Sequence, residues 1–318
     1  MTGYSWEVTA PILGLAWFAA LNAIVSILAL ALSGLFRDGV RADVWRARGL
    51  LALRLAPSLS SITVAVILFL PAHVWLEPVR TDERIGAVPI ALAVGALVLL
   101  FRSGWRAAGA ARTALRLAAL QPRSAERHGA MSMTEVPGLR GIALAGIFRP
   151  RILIGSAARQ ILTPAELDLA VAHERAHQRA WDNLTRVLMH CAPDFFGWSR
   201  EARRLEMLWE AEAECLADAA AVAGSPVRAT RLASALVKVA RLASGDRAWV
   251  AGWSTFHHPA LLEARVRLLV SDTRVMPGIV CRGRTAAAGG VTVVAAAWIA
   301  GLPQQLHWLT ESLLALLP

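Results

Sequence analysis

The chain has 318 residues, 56% of them hydrophobic and only 18% charged, with a mean hydropathy of +0.49. A soluble globular domain carries about a quarter charged residues, so a purely soluble fold is excluded. The net charge of +10 comes from arginine, Lys238 being the only lysine, and it clusters at the ends of apolar runs. That placement belongs to membrane topology, and with no recognition module in the chain direct nucleic-acid binding is not expected.

Four uncharged runs, Val8 to Phe36, Leu55 to Leu76, Ile85 to Phe101 and Thr285 to Leu302, approach or exceed the roughly 17 to 25 residues that cross a bilayer. They predict four transmembrane helices. Residues 1–102 hold three of them and a basic loop, residues 103–284 form one more polar domain, and residues 285–318 hold the fourth with a short apolar tail against the outer face or beside the bundle. Arg37, Arg41, Arg46, Arg48 and Arg54 crowd the loop after the first span. The loop after the second span balances Arg80 and Arg84 with Glu77, Asp82 and Glu83. Arg102, Arg106, Arg112 and Arg116 follow the third span, and Arg274, Arg282 and Arg284 precede the fourth. By the positive-inside rule the N-terminus lies outside a bacterial-type inner membrane and the polar domain is cytoplasmic. Glu7 and the lack of a basic start argue for a retained anchor rather than a cleaved signal peptide. The spans carry no charged pair, which speaks against a transporter. Cys191, Cys215 and Cys281 include no CxxC, so no disulfide framework is expected.

Within the polar domain, Gly104 to Leu120 continues the third span as an arginine-rich helix, and Gln121 to His128 reads as a polar break. Met131 to Val136, Gly141 to Phe148 and Arg151 to Gly155 read as strands separated by Pro and Gly. Thr163, Pro164 and Glu166 form an N-cap, a first-turn proline and a capping-box acid, starting a helix expected to run to about Cys191. Further helices are expected over Ser199 to Gly224, from Pro226 to near Gly245, and from Pro259 to about Val270. The fold class is a mainly α membrane protein with a small β-sheet.

On the first of these helices stand His173, Glu174, Arg175, Ala176 and His177. Residues four apart share a helical face, so both imidazoles can address one Zn2+ ion, and Glu174 is placed to act as base on a water there. Charged neighbours such as Arg175, Arg179 and Asp182 put the motif outside the membrane core. A catalytic zinc takes a third protein ligand. The second helix offers Glu206, Glu210, Glu214 and Asp218 in a row of four-residue steps. Like charges at that spacing repel, so the row implies neutralisation by a cation or by arginines. Composition does not say which glutamate is the ligand.

The runs Ile147 to Ile154, Leu162 to Leu167 and Ala172 to His177 with Asp182-Asn183 resemble the membrane zinc metallopeptidases of the BlaR/MecR antirepressor type, as does the order of spans and domain. Leu70 to His73 is similar to what that family carries in the second span. The resemblance implies a zincin-like, mostly helical metalloprotease domain of the gluzincin type. Glu214-Cys215-Leu216-Ala217-Asp218 matches the ExxxD motif of related gluzincins, implying Glu214 as third ligand, in preference to Glu210, and Asp218 as the acceptor orienting a zinc histidine. His258 to Arg265 is similar to the HP…ER segment, implying that His258 and Arg265 help hold substrate or the oxyanion, with His257 competing for the role of His258.

Antibiotic-sensing members add an extracellular penicillin-binding domain after the last span. Here the sequence reaches Pro318 soon after that span, and Lys238 has Ala235 three residues before it, so no SxxK motif occurs. A lone peptidase lacking that sensor is expected, one that answers to a membrane sensor partner. The resemblance further implies a protein substrate, such as a transcriptional repressor, in regulatory signalling. The rival readings are a quality-control protease acting on membrane proteins and a non-catalytic zinc-binding transducer. Strand Gly141 to Phe148 is expected to be the sheet edge that pairs with substrate.

Overall fold

The computed structural model describes residues 6–36, 39–76, 85–118, 125–128, 131–136, 139, 141–147, 150–243, 254–255, 259–271 and 301–316. Three helical stretches among them are long and apolar enough to cross a membrane. Helix α1 is Trp6–Ser33. Helix α2, Val44–Ile62, passes through a π-helical stretch, Thr63–Phe69, into α3, Leu70–Leu76. Helix α4 is Ala87–Ala118. Phe18 and Ala19 of α1 are buried against Ala96 and Leu99 of α4, the small side chains letting the backbones approach. Ile24, Ile27, Val94, Leu97 and Phe101 point outward and exposed, as side chains facing hydrocarbon do. The fourth expected span lies almost wholly outside the described residues. The tail forms α11, Leu302–Leu316, beside α3, with Trp17 Nε1 donating to Thr310 Oγ1 at 2.9 Å.

One boundary differs from the sequence expectation. Asp43 caps α2 by accepting from the Trp45 N–H at 2.9 Å, so Arg46, Arg48 and Arg54 lie on the helix rather than in the loop. Helix α4 runs unbroken across residue 102, as the arginine-rich continuation of the third span predicts.

The more polar domain is, among the described residues, a five-stranded sheet under helices. Strands β1 (Ala125–His128), β2 (Met131–Val136), β3 (Ile142–Ala145), β4 (Arg151–Gly155) and β5 (Ser254–Thr255) stand in the order β1-β2-β4-β3-β5. Only the β2/β4 pair is parallel. β1 falls where a polar break was expected, because its residues, AERH, carry no apolar alternation to signal a strand. The helices are α5 (Ser156–Ile161), α6 (Pro164–Ala180), α7 (Asp182–Cys191), α8 (Arg200–Val222), α9 (Pro226–Ala243) and α10 (Pro259–Val270). Ile142, Leu144, Ile152 and Ile154 pack with Leu169 and Val171 of α6 and Leu232, Leu236 and Val239 of α9. Each such burial contributes about 1.5–3 kcal/mol, which fixes α6 rigidly on the sheet.

Helix α6 begins as its sequence predicts: Thr163 Oγ1 accepts from the Glu166 N–H, and the Glu166 carboxylate accepts from the Thr163 N–H at 2.8 Å. It does not run on to Cys191. Trp181 adopts a left-handed conformation, φ 59°, which no glycine or asparagine in the sequence announces, and divides the expected helix into α6 and α7.

Glu166 also ties α6 to α9. It is buried, and Lys238 Nζ at 2.7 Å and Ser234 Oγ at 2.8 Å donate to its carboxylate. Burial pushes this carboxyl up, but the bonds from Lys238, the Thr163 N–H and Ser234 more than offset it and bring its pKa from 4.5 to about 2. A depressed carboxyl contributes stability above its unfolded value and loses it as pH falls through its folded one. Glu166→Gln should therefore unfold more easily than wild type at neutral pH, and the two should converge as pH drops from about 4.5 towards about 2 in denaturant titrations.

Candidate metal centre

Helices α6 and α8 cross with their charged faces inward. His173 and His177, one turn apart on α6, are both fully buried, and Glu214 of α8 lies opposite them. The two Nε2 atoms stand 3.0 Å apart, and each lies 3.4 Å from a Glu214 oxygen. The donor atoms of these three residues all lie within 4.8 Å of one another. A tetrahedral ion with ligand distances of about 2.0–2.2 Å would separate its donors by about 3.3–3.6 Å, so the set fits one metal ion with a side left for a further ligand. Glu210, the competing candidate, is 39% exposed, lies 3.9 Å from Arg186 and is not among the clustered donors. Glu214 is therefore the third member of the cluster.

The far side of each imidazole is held by a carboxylate. His173 Nδ1 lies 2.9 Å from Asp218 Oδ1, and His177 Nδ1 lies 2.6 Å from Asp182 Oδ2. An Nδ1–H directed at an aspartate would leave Nε2 free to take a metal ion once any proton there has left. Asp218 was expected in this role from the ExxxD match. Asp182 was quoted in the sequence but given no role, and geometry explains why. On a continuous helix a residue five positions past His177 lies about 140° around the axis. Only the left-handed turn at Trp181 swings it back, while the next side chain, Asn183, anchors α7 to the sheet by donating to Leu144 O and Gly146 O, both at 3.0 Å.

Two arginines complete the shell. Arg265, expected to touch substrate, is 1% exposed and turned to the carboxylates: Nε and Nη2 donate to both Asp218 oxygens at 2.7 Å, and Nη1 lies 3.0 Å from Glu214 Oε2. In this geometry its guanidinium is directed at Asp218 and Glu214. Arg186, over the Trp209 ring, reaches Glu214 Oε1 at 3.4 Å and was not foreseen. His257 and His258 lie outside the described residues. The expected edge strand also differs, since β5 pairs with β3 at Ala143 and Leu144, covering that edge with the chain that leads into α10.

Glu174 stands apart from this bonding. It is fully buried, and neither carboxylate oxygen has a hydrogen-bond partner among the described residues. Burial pushes its carboxyl up to about 7, against the pull of the two histidines. A wholly buried acid without partners costs stability, and it marks the atoms meant to meet something that enters the site. Burial pushes His177 down, but Glu214 and Asp182 outweigh it and raise its pKa to about 10.

A family model described as BlaR1 peptidase M56 matches residues 80–269, more than half of the chain, including α4, the sheet and the whole cluster. No curated protein matches the chain.

Two outcomes follow from the geometry. Glu214→Ala should strip most bound metal from the purified protein while Glu210→Ala retains it, as read by elemental analysis. A histidine protonated up to about 10 must release its proton when a metal binds. Apparent metal affinity should therefore rise across about pH 6 to 9, with proton release measurable by calorimetry in buffers of different ionisation enthalpy.

Proposed function

Because the chain belongs to the BlaR1 peptidase M56 family, we propose that it is a membrane-anchored zinc endopeptidase that cuts a cytoplasmic or membrane-proximal protein in regulatory signalling. The family and the three apolar helices establish a membrane protein of a metallopeptidase family. Two imidazoles and one carboxylate are a ligand set of catalytic zinc, which favours that ion. The observation that carries the reading is Glu174, buried beside that set and without a hydrogen-bond partner among the described residues.

Bound there, zinc would polarise a scissile carbonyl and acidify a water. Glu174, with its pKa raised to about 7, is suited both to accept the proton of the attacking water and to pass it to the leaving amine. Asp182 and Asp218 keep His177 and His173 in the tautomer that leaves Nε2 free. Arg265 and Arg186 hold the Glu214 carboxylate in register and offset the charge of the acids around it. Glu174→Gln preserves size and removes the base, so it should keep stoichiometric zinc and lose cleavage by about a hundredfold or more. Cleavage at the wild-type rate would refute the enzyme reading in favour of a non-catalytic transducer.

The cytoplasmic placement rests on Arg106, Arg112 and Arg116 at the end of α4 and on the basic flank of α2. A transcriptional repressor as substrate and a membrane sensor as partner follow from the resemblance to antirepressor peptidases. Fragment profiling of cells carrying Glu174→Gln should show one or a few stabilised cytoplasmic regulators, whereas many stabilised membrane proteins would indicate quality control. Protease added outside intact cells should leave the segment 102–284 uncut.

A further inference from the structure

Between α7 and α8 the chain leaves the α-helix for residues 192–199, interrupted only by a 3-10 turn at Phe196–Trp198. This segment lies among the spans. Asn22 of α1 donates to Pro193 O at 3.0 Å and accepts from the Phe195 N–H at 3.0 Å, and Ser26 accepts from the Phe196 N–H at 3.1 Å. Arg54 of α2 meets Asp194 at 3.0 Å, and Ser58 donates to the same carboxylate at 2.6 Å. Arg102 of α4 donates to Asp194 O at 2.8 Å. Asp194 is fully buried, as is Arg54 at 1% exposure.

The depth of these contacts follows from the helices themselves. Asn22 lies 16 residues after the start of α1, and Arg102 lies 15 after the start of α4. At ~1.5 Å per residue both stand about 23 Å from the far ends of their helices, short of the ~30 Å hydrocarbon thickness. Exposed apolar side chains continue past this level on α1, at Ile27, Leu30 and Leu32. Irregular backbone at membrane depth is stable only where protein satisfies its polar groups. Here side chains of three spans do so.

The segment also joins the two halves of the metal centre, since α7 opens with Asp182 behind His177 and α8 carries Glu214 and Asp218. Helix α8 is clasped to the spans a second time. Glu212, fully buried, accepts from the Arg41 and Asp43 N–H groups at 3.1 Å, with Ala42 between them in a left-handed conformation, and pairs with Arg46 at 2.9 Å. The histidines ride on α6, seated on the sheet, whereas Glu214 rides on a helix fastened to α1 and α2.

We infer that residues 192–197 are a re-entrant wedge in the leaflet on the peptidase side, and that Asp194, locked by Arg54, is a positioning residue through which span packing sets the metal centre. A shift of α1 and α2 that releases the lock would move Glu214 relative to His173 and His177. The effect on cleavage rests on the metallopeptidase reading, but the depth and the effect on metal binding do not.

The test uses the full chain in nanodiscs. In wild type the amides of residues 195–197 should resist hydrogen exchange like those of the spans; exchange as fast as in exposed loops would overturn the wedge. Asp194→Asn removes the charge facing Arg54, and Gly197→Ala keeps every polar group but sets a methyl 2.9 Å from Asp194 Oδ1 and 3.0 Å from Arg54 Nη2. Each should lower affinity for zinc alone by roughly tenfold or more, speed exchange at 195–197, and reduce kcat with KM unchanged. Should Asp194→Asn not fold, Gly197→Ala decides. Folded variants with wild-type zinc affinity would overturn the lock, even if cleavage is never detected.

Discussion

Burying Glu214 and Asp218 beside two imidazoles would be prohibitive without positive charge close at hand, because an unpaired buried carboxylate costs several kcal/mol. Arg265 supplies it from α10, with two bonds to Asp218 and one approach to Glu214, and Arg186 supplies it from α7. The row of acids on α8 is thus neutralised member by member: Glu206 by Arg54, Glu210 and Glu214 by Arg186, Glu214 and Asp218 by Arg265. The same pairings bring α2, α7, α8 and α10 to one place, so the electrostatics of the centre also assemble the domain around it.

Chemistry at such a centre depends on keeping one acid out of this bonding. Glu214, Asp218 and Asp182 are paired, whereas Glu174 is fully buried and, among the described residues, without a hydrogen-bond partner, its proton affinity raised towards neutrality. Neighbouring acids differ in role because one is given arginines and the other is not. The histidines are likewise set by what lies behind them, since each Nδ1 faces an aspartate and each Nε2 faces the other and Glu214.

The membrane part is more than an anchor. Arginines that look like topology signals in the sequence are divided between two tasks. Arg112 and Arg116 are exposed towards the end of the long α4, whereas Arg54 and Arg102 turn inward to hold the loop between α7 and α8. Charge at a span boundary therefore serves both insertion and docking, and only the second use links the spans to α7 and α8.

Read alone, the sequence determined the apolar helices, the capped start of α6 and the pairing of His173 with His177, because these depend on periodicity and spacing within one element. Its four-residue row of acids on α8 also implied neutralising partners, since like charges on one face repel. What the sequence left open was decided by contacts between elements distant in the chain. Glu214 rather than Glu210 meets the imidazoles because of how α6 crosses α8. Asp182 reaches His177 because Trp181 turns the backbone left-handed, with no residue type there to foretell it. Arg265 faces the carboxylates because α10 packs against α8, and β3 is covered because β5 pairs along it. Spacing fixes which side chains share a face, but only packing decides what that face meets.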